Sequence, residues 1–165
     1  FGDVSQKRIL ILGSGGTGKA VSAYFASKLD SLDQLIISSR SNSAVILAKK
    51  LGCNSIGWSD IENESSQVDV IINCTSLGSS LQPGLIPLEK RAFENIKADV
   101  TIYDVVYDPS ETPFLLTASS FGLSCLNGLA MNFEQAVIGF HYAATNGRND
   151  LGVDEIRSAM KSAIT

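Results

Sequence analysis

The residues with the clearest chemical potential are Gly13-Ser14-Gly15-Gly16-Thr17-Gly18-Lys19-Ala20, which follow a short isoleucine- and leucine-rich run and open a helical pattern. Gly13, Gly15 and Gly18 meet the spacing G-x-G-x-x-G. In such a loop the first glycine permits a tight turn and the second lets the backbone approach a pyrophosphate. The third lets the helix pack close to the strand. Free amides and the dipole at the helix start favour an anion there. Gly13, Ser14, Gly15, Gly16 and Thr17 are therefore candidate contacts to a dinucleotide. The same letters nearly spell a nucleoside triphosphate loop, G-x-x-x-x-G-K-[ST], through Gly13, Gly18 and Lys19. That pattern fails at Ala20, where a hydroxyl is needed to hold Mg²⁺. A glycine turn with no ligand is the third reading. On the dinucleotide reading Lys19 is a solvated helix residue.

The dinucleotide reading makes a demand on the next strand end. An acid there holds the ribose 2′-OH of NAD, whereas an arginine accommodates the 2′-phosphate of NADP. This chain has Ser38-Ser39-Arg40-Ser41 and no acid. A guanidinium can make paired hydrogen bonds to a phosphate and lie flat on adenine. Ser39 and Ser41 can add donors. The pattern favours NADP, with a merely exposed strand-end arginine as the bland alternative.

Other chemistry-bearing residues lead less far. Tyr24-Phe25-Ala26-Ser27-Lys28 matches a Tyr-x-x-x-Lys pair, but its stripe is expected to face the sheet, which argues against catalysis. Cys53, Cys74 and Cys125 fit no zinc spacing, and reduced, mostly buried thiols are expected. His141 stands alone and reads as a surface or half-buried residue. No metal site is expected.

Three further segments carry a resemblance. Asn73-Cys74-Thr75-Ser76-Leu77-Gly78 is similar to an Asn-Ala-Thr-Ser/Pro-x-Gly segment; Asp104-Val105-Val106-Tyr107 with Pro109, Thr112 and Pro113 is similar to D-x-x-Y-x-P-x-x-T; and Gly128-Leu129-Ala130-Met131 through Gln135-Ala136 is similar to G-x-x-M-x-x-x-Q-A. With the glycine loop and Ser39-Arg40-Ser41, the chain resembles the NADP-binding part of shikimate and quinate dehydrogenases. The resemblance implies that Cys74, Thr75, Ser76 and Leu77 line the cofactor, and that Val105, Gly128 and Met131 lie by the nicotinamide. It also implies that Tyr107 and Gln135 reach oxygens of the substrate. Core filling remains the alternative for Met131, and a solvated position for Gln135.

Two departures stand out. Ser39 replaces the family's asparagine, and Ala44 lies where a second basic residue is often found, so weaker NADP affinity or relaxed selectivity is expected. The family's catalytic Lys–Asp pair and most substrate contacts belong to an N-terminal domain that this chain lacks. No catalytic residue is therefore assigned. Asp104 reads as buried and structural. The implied activity is the reduction of 3-dehydroshikimate to shikimate with NADPH, in aromatic amino-acid biosynthesis. The isolated chain is expected to turn over slowly or not at all. Two alternatives remain open: a ligand-sensing module of a quinate-pathway regulator, and an NAD-dependent quinate/shikimate dehydrogenase.

These residues need a scaffold, and apolar runs alternating with helical patterns supply one. Strands are expected at Arg8–Leu12, Leu35–Ser39, Ser55–Trp58, Val68–Asn73, Thr101–Val106 and Leu123–Leu126, and helices at Lys19–Leu29, Asn42–Leu51, Thr112–Phe121, Leu129–Ala144 and Val153–Ala163. Short, nearly unbroken apolar strands between helices mean a mostly parallel sheet covered on both faces. The expected fold is a single Rossmann-like, doubly wound α/β domain. The last helix is expected to have packed against the absent domain. With 44% hydrophobic and 18% charged residues the composition is that of a soluble globular protein, and the expected reduced thiols point to the cytoplasm. A net charge of -4 gives no reason to expect nucleic acid or an anionic membrane as partner. The abrupt start without methionine reads as a fragment of a larger protein.

Overall fold

A computed structural model describes residues 2–145 and 152–164 of the chain. Six strands form one sheet: β1 (Ile9–Leu12), β2 (Leu35–Ser38), β3 (Asn54–Ile56), β4 (Val70–Asn73), β5 (Thr101–Asp104) and β6 (Ser124–Leu126). Their order is β3-β2-β1-β4-β5-β6, and every pairing is parallel. The order reverses between β1 and β4. In such sheets ligands bind beyond the carboxyl ends of the strands at that switch point.

The helices are α1 (Gly16–Ala26), α2 (Ser43–Leu51), α3 (Ile61–Ser65), α4 (Pro113–Ser120), α5 (Leu129–Thr145) and α6 (Val153–Ile164). Their ends follow local chemistry. Gly52 closes α2 in a left-handed conformation at φ 79°, which glycine adopts without a Cβ clash. Thr112 caps α4 by accepting the Leu115 amide at 3.2 Å, and Pro113 occupies the first helical turn, where its missing N–H costs nothing.

The sheet is buried on both faces, and period-two alternation sorts its residues. Leu10, Leu12, Ile36, Ile71 and Ile102 join Phe93, Phe114 and Leu88 on one side. Ile9, Ile11, Leu35, Val70 and Ile72 join Val4 and Phe25 on the other. All four β1 residues are fully buried. The Rossmann-like, doubly wound fold expected from the sequence is the one observed.

Several boundaries differ from expectation. Helix α1 begins at Gly16, inside the glycine loop, and ends at Ala26 rather than Leu29. Tyr24 does not face the sheet: it is 56% exposed, and its neighbour Phe25 takes the inward position. The inward face of α1 is centred on Gly18, Ser22 and Phe25, and at 100° per residue Tyr24 falls to its side. Trp58 belongs to a 3₁₀ turn after β3, not to the strand. The short α3 and the 3₁₀ segment Lys90–Asn95 were not expected; they are too short to show a period.

The chain divides into two compact units, residues 1–127 and 128–165. The sheet and α1–α4 make up the first. In the second, Arg157 of α6 donates to both carboxylate oxygens of Glu134 on α5, at 2.9–3.1 Å, and also pairs with Asp154. No helix of the described residues is long and apolar enough to cross a membrane.

Candidate functional site

Beyond the carboxyl ends of β1, β2 and β4 lies a cavity of about 700 Å³. Its walls are Gly13, Ser14 and Gly15 from the loop after β1, Ser39, Arg40 and Ser41 after β2, and Cys74, Thr75 and Ser76 after β4. The fold thus brings together nine of the residues singled out in the sequence. Ser43 and Trp58 complete the walls. Neither was singled out, although the alternate spacing of Ser39, Ser41 and Ser43 was a visible signal for the first. Trp58 gave no local signal.

The glycines divide the work as their spacing suggests. Gly13 sits at φ 107°, and a Cβ there would meet the Cys74 carbonyl at 2.9 Å. A Cβ on Gly18 would lie 2.1 Å from the Gly13 oxygen. By contrast, a Cβ on Gly15 would meet nothing within 4 Å. The protein itself makes no demand for glycine at position 15, so its bareness leaves room for something in the cavity. Gly16 and Thr17 form the first turn of α1 and do not line the cavity.

At the β2 end, four hydroxyls gather. Ser43 Oγ lies 2.6 Å from Ser14 Oγ, 2.7 Å from Ser41 Oγ and 3.3 Å from Ser39 Oγ. Ser39 Oγ donates to the Ser41 carbonyl and accepts the Ala44 amide, which holds the start of α2. Arg40 is exposed and makes no hydrogen bond or ion pair among the described residues. Among the described residues no carboxylate lines the cavity. A free guanidinium, rotatable hydroxyls and no acid are a donor set for a phosphate group.

At the β4 end, sheet register builds a buried network. Asn73 and Asp104 are partners across β4 and β5, both fully buried. Asn73 Nδ2 donates to Asp104 Oδ1 at 2.9 Å. The Thr112 hydroxyl donates to Asp104 Oδ2 at 2.7 Å, and the Val106 amide to Oδ1 at 3.1 Å. The other end of the Asn73 amide, Oδ1, accepts both the Thr75 hydroxyl at 2.6 Å and the Thr75 amide at 3.0 Å. Asp104 is thus a buried anchor, as the sequence suggested. Burial raises its carboxyl above the ordinary 3.8, and the bonds from Thr112, Val106 and Asn73 oppose that rise. The network fixes the loop carrying Thr75 and Ser76. Leu77 tucks its side chain inward, 7% exposed, and contributes backbone bonds to Thr75 and Asn73.

Thr75 also borders a second cleft of about 270 Å³, with Ser79, Val105, Tyr107 and Asp108 among its walls. Thr75 therefore joins the two, placing Val105 and Tyr107 next along the strand tops. Tyr107 is 47% exposed. Asp108, an exposed carboxylate in this cleft, was not singled out.

In the second unit, Gly128 precedes α5 and its carbonyl accepts the Asn132 amide at 2.9 Å. Residues 128, 131 and 135 share a helical face by spacing. Met131 is half-buried and Gln135 exposed, and neither lines the groove between α5 and α6. His141 is more buried than expected, at 8% exposure, with its ring edge-on to Tyr142.

The cysteines are free, as expected, but only Cys74 is buried, Cys53 and Cys125 being half-buried. Cys74 forms part of the cavity wall, but burial, helped by the Asp104 charge, pushes its thiol up to about 12. The thiolate is the reactive form. Iodoacetamide at about pH 8 is expected to leave Cys74 unmodified in the folded protein and to label it only after denaturation. Peptide mass spectrometry reads the outcome, and rapid labelling of folded Cys74 contradicts its burial.

The family model "Shikimate / quinate 5-dehydrogenase" matches residues 1–106. The shikimate dehydrogenase (NADP(+)) of Caldanaerobacter subterraneus subsp. tengcongensis is 32% identical over 146 residues, covering 84% of this chain and 50% of that protein. The protein of the same description from Azorhizobium caulinodans is 35% identical over 141 residues, covering 84% and 48%. The solved structure of shikimate 5-dehydrogenase from Thermus thermophilus, in complex with NADP(H) and shikimate, matches with a TM-score of 0.70 at 25% identity, covering 96% of this chain and 56% of that one. The chain spans about half the length of the curated relatives it matches.

Proposed function

The chain belongs to the shikimate / quinate 5-dehydrogenase family, and from that premise we propose that it forms the NADP(H)-binding part of an enzyme reducing 3-dehydroshikimate to shikimate. The observation that carries this is the cavity over β1, β2 and β4. It joins a bare Gly15, a free Arg40 and a serine cluster without any acid. The two curated relatives are NADP(+) enzymes, which agrees with that donor set.

When bound, NADPH supplies a hydride to a carbonyl carbon. The chain's own residues bind and orient. The backbone of Ser14 and the bare Gly15, which lead into α1, would receive the pyrophosphate. Arg40, with Ser39 and Ser41 beside it, would hold the 2′-phosphate. Cys74, Thr75 and Ser76 form the floor toward the second cleft, and Leu77 holds that floor from beneath. Val105 is proposed to bound the nicotinamide and Tyr107 to hold a substrate oxygen, both from the second cleft. The alkoxide product must be given a proton, and a positioned acid typically contributes about 10²–10⁴-fold to such a step. Asp104 cannot serve, because it is sealed from solvent and accepts three hydrogen bonds. We place the proton donor and most substrate contacts in a further domain of the parent protein, and expect no turnover from residues 1–165 alone.

Titration of the chain with NADPH and with NADH, followed by nicotinamide fluorescence, tests the cofactor assignment. NADPH is expected to bind at least about tenfold more tightly, about 1.4 kcal/mol. Equal affinity, or a preference for NADH, overturns the reading of Arg40 and favours an NAD-dependent quinate/shikimate dehydrogenase.

A further inference from the structure

Ser43 is a wall common to two cavities. One is the cofactor cavity with Arg40. The other, of about 530 Å³, lies between α1 and α2 and is lined by Lys19, Ala23, Ser43, Leu47 and Lys50 among others. Among the described residues no carboxylate lines either cavity, in a chain whose net charge is -4. This neighbourhood is therefore locally cationic against the sign of the whole molecule.

The topology explains why Lys19 and Ser43 line one cavity. Helices α1 and α2 follow β1 and β2, which pair in parallel, so both helices start at the same edge of the sheet. Lys19 lies in the first turn of α1, and Ser43 is the first residue of α2. Lys19 makes no ion pair or hydrogen bond through its side chain among the described residues. Its long stem can lie along the groove wall while the ammonium stays wet at the rim.

We propose that Lys19 is a specificity-determining residue, whose ammonium meets across Ser43 a phosphate monoester held by Arg40 and the serine cluster. The proposal rests on the NADP reading above and extends it, since the sequence alone made Lys19 a solvated helix residue. A phosphate monoester carries about -1.5 to -2 at neutral pH, more than the one charge of Arg40 balances. A ribose hydroxyl at the same place offers the ammonium no charge, so Lys19 separates the two cofactors rather than binding both. Lys50 lies seven residues beyond Ser43, roughly 10 Å further along the helix axis, too far to share that role.

The test compares NADP⁺ and NAD⁺ affinities of the full chain by calorimetry, for wild type and for Lys19→Gln, Lys19→Arg, Lys50→Gln and Arg40→Gln. Lys19→Gln is expected to weaken NADP⁺ about three- to tenfold and NAD⁺ less than about twofold. Lys19→Arg keeps the preference, and Lys50→Gln changes neither. Equal losses for both nucleotides overturn the proposal, because Lys19 then acts on a part they share. So does a Lys50→Gln loss as large as that of Lys19→Gln, which points to a diffuse field. If Arg40→Gln weakens NADP⁺ and Lys19→Gln does not, the NADP reading stands and the Lys19 assignment falls. If wild type does not distinguish the nucleotides, both fall together.

Discussion

Gly18→Ala is expected to lower the unfolding free energy by about 3 kcal/mol, whereas Gly15→Ala changes it by less than about 0.5 kcal/mol. The difference comes from what a methyl group meets. At position 18 it would lie 2.1 Å from the Gly13 carbonyl oxygen and 2.8 Å from its carbon. Both belong to backbone, which cannot rotate aside. Either α1 lifts from β1 or the loop distorts, and the cavity edge moves with it. At position 15 the same methyl enters open space, and the backbone there, φ -70° and ψ -164°, suits any L-residue. Its cost should appear only with cofactor, as a loss of NADPH affinity greater than about tenfold, because the methyl takes the place of the pyrophosphate. Urea denaturation and NADPH titration of the two variants separate fold from ligand. If both lose stability alike, or if Gly15→Ala binds NADPH normally, the pyrophosphate does not pass over this loop.

Asp104→Ala is expected to cost about 3 kcal/mol, since it strands three donors in the interior: Asn73 Nδ2, Thr112 Oγ1 and the Val106 amide. The consequence should reach the cofactor. Asn73 then keeps only its bond to the Leu77 carbonyl, which loosens its hold on Thr75, a residue that borders both cavities. Asp104→Asn offers a subtler test. Burial raises the folded carboxyl above its ordinary 3.8, so between those two values the folded state binds more protons than the unfolded one. Stability contributed by this group is then greatest below the ordinary value and declines as pH rises through the raised one. The stability of wild type relative to Asp104→Asn should therefore be higher at about pH 4 than at about pH 7. A constant difference over that interval means that Asp104 does not titrate as its burial requires.

Much of this protein was legible residue by residue. The glycine spacing, the alternation of apolar strands with helical stretches, the Gly52 stop and the Thr112-Pro113 start are local devices. Each depends on dihedral preference, side-chain period or a hydrogen bond within a few positions, so the chain states them without help from distant parts. The absence of an acid and the presence of Arg40 after β2 are equally local, and they carried the cofactor reading.

Other features exist only because strands pair and helices pack. Asn73 and Asp104 are 31 positions apart and meet through the register of β4 against β5. Ser14 and Ser43 are 29 apart and meet because α1 and α2 rise from neighbouring strands. Tyr24 points outward and Phe25 inward, a rotation about the helix axis that the packing of α1 on the sheet settles. Local preferences are written in short stretches of chain; register, rotation about a helix axis and the walls of a cavity are settled by the whole core closing at once. No single stretch contains that information.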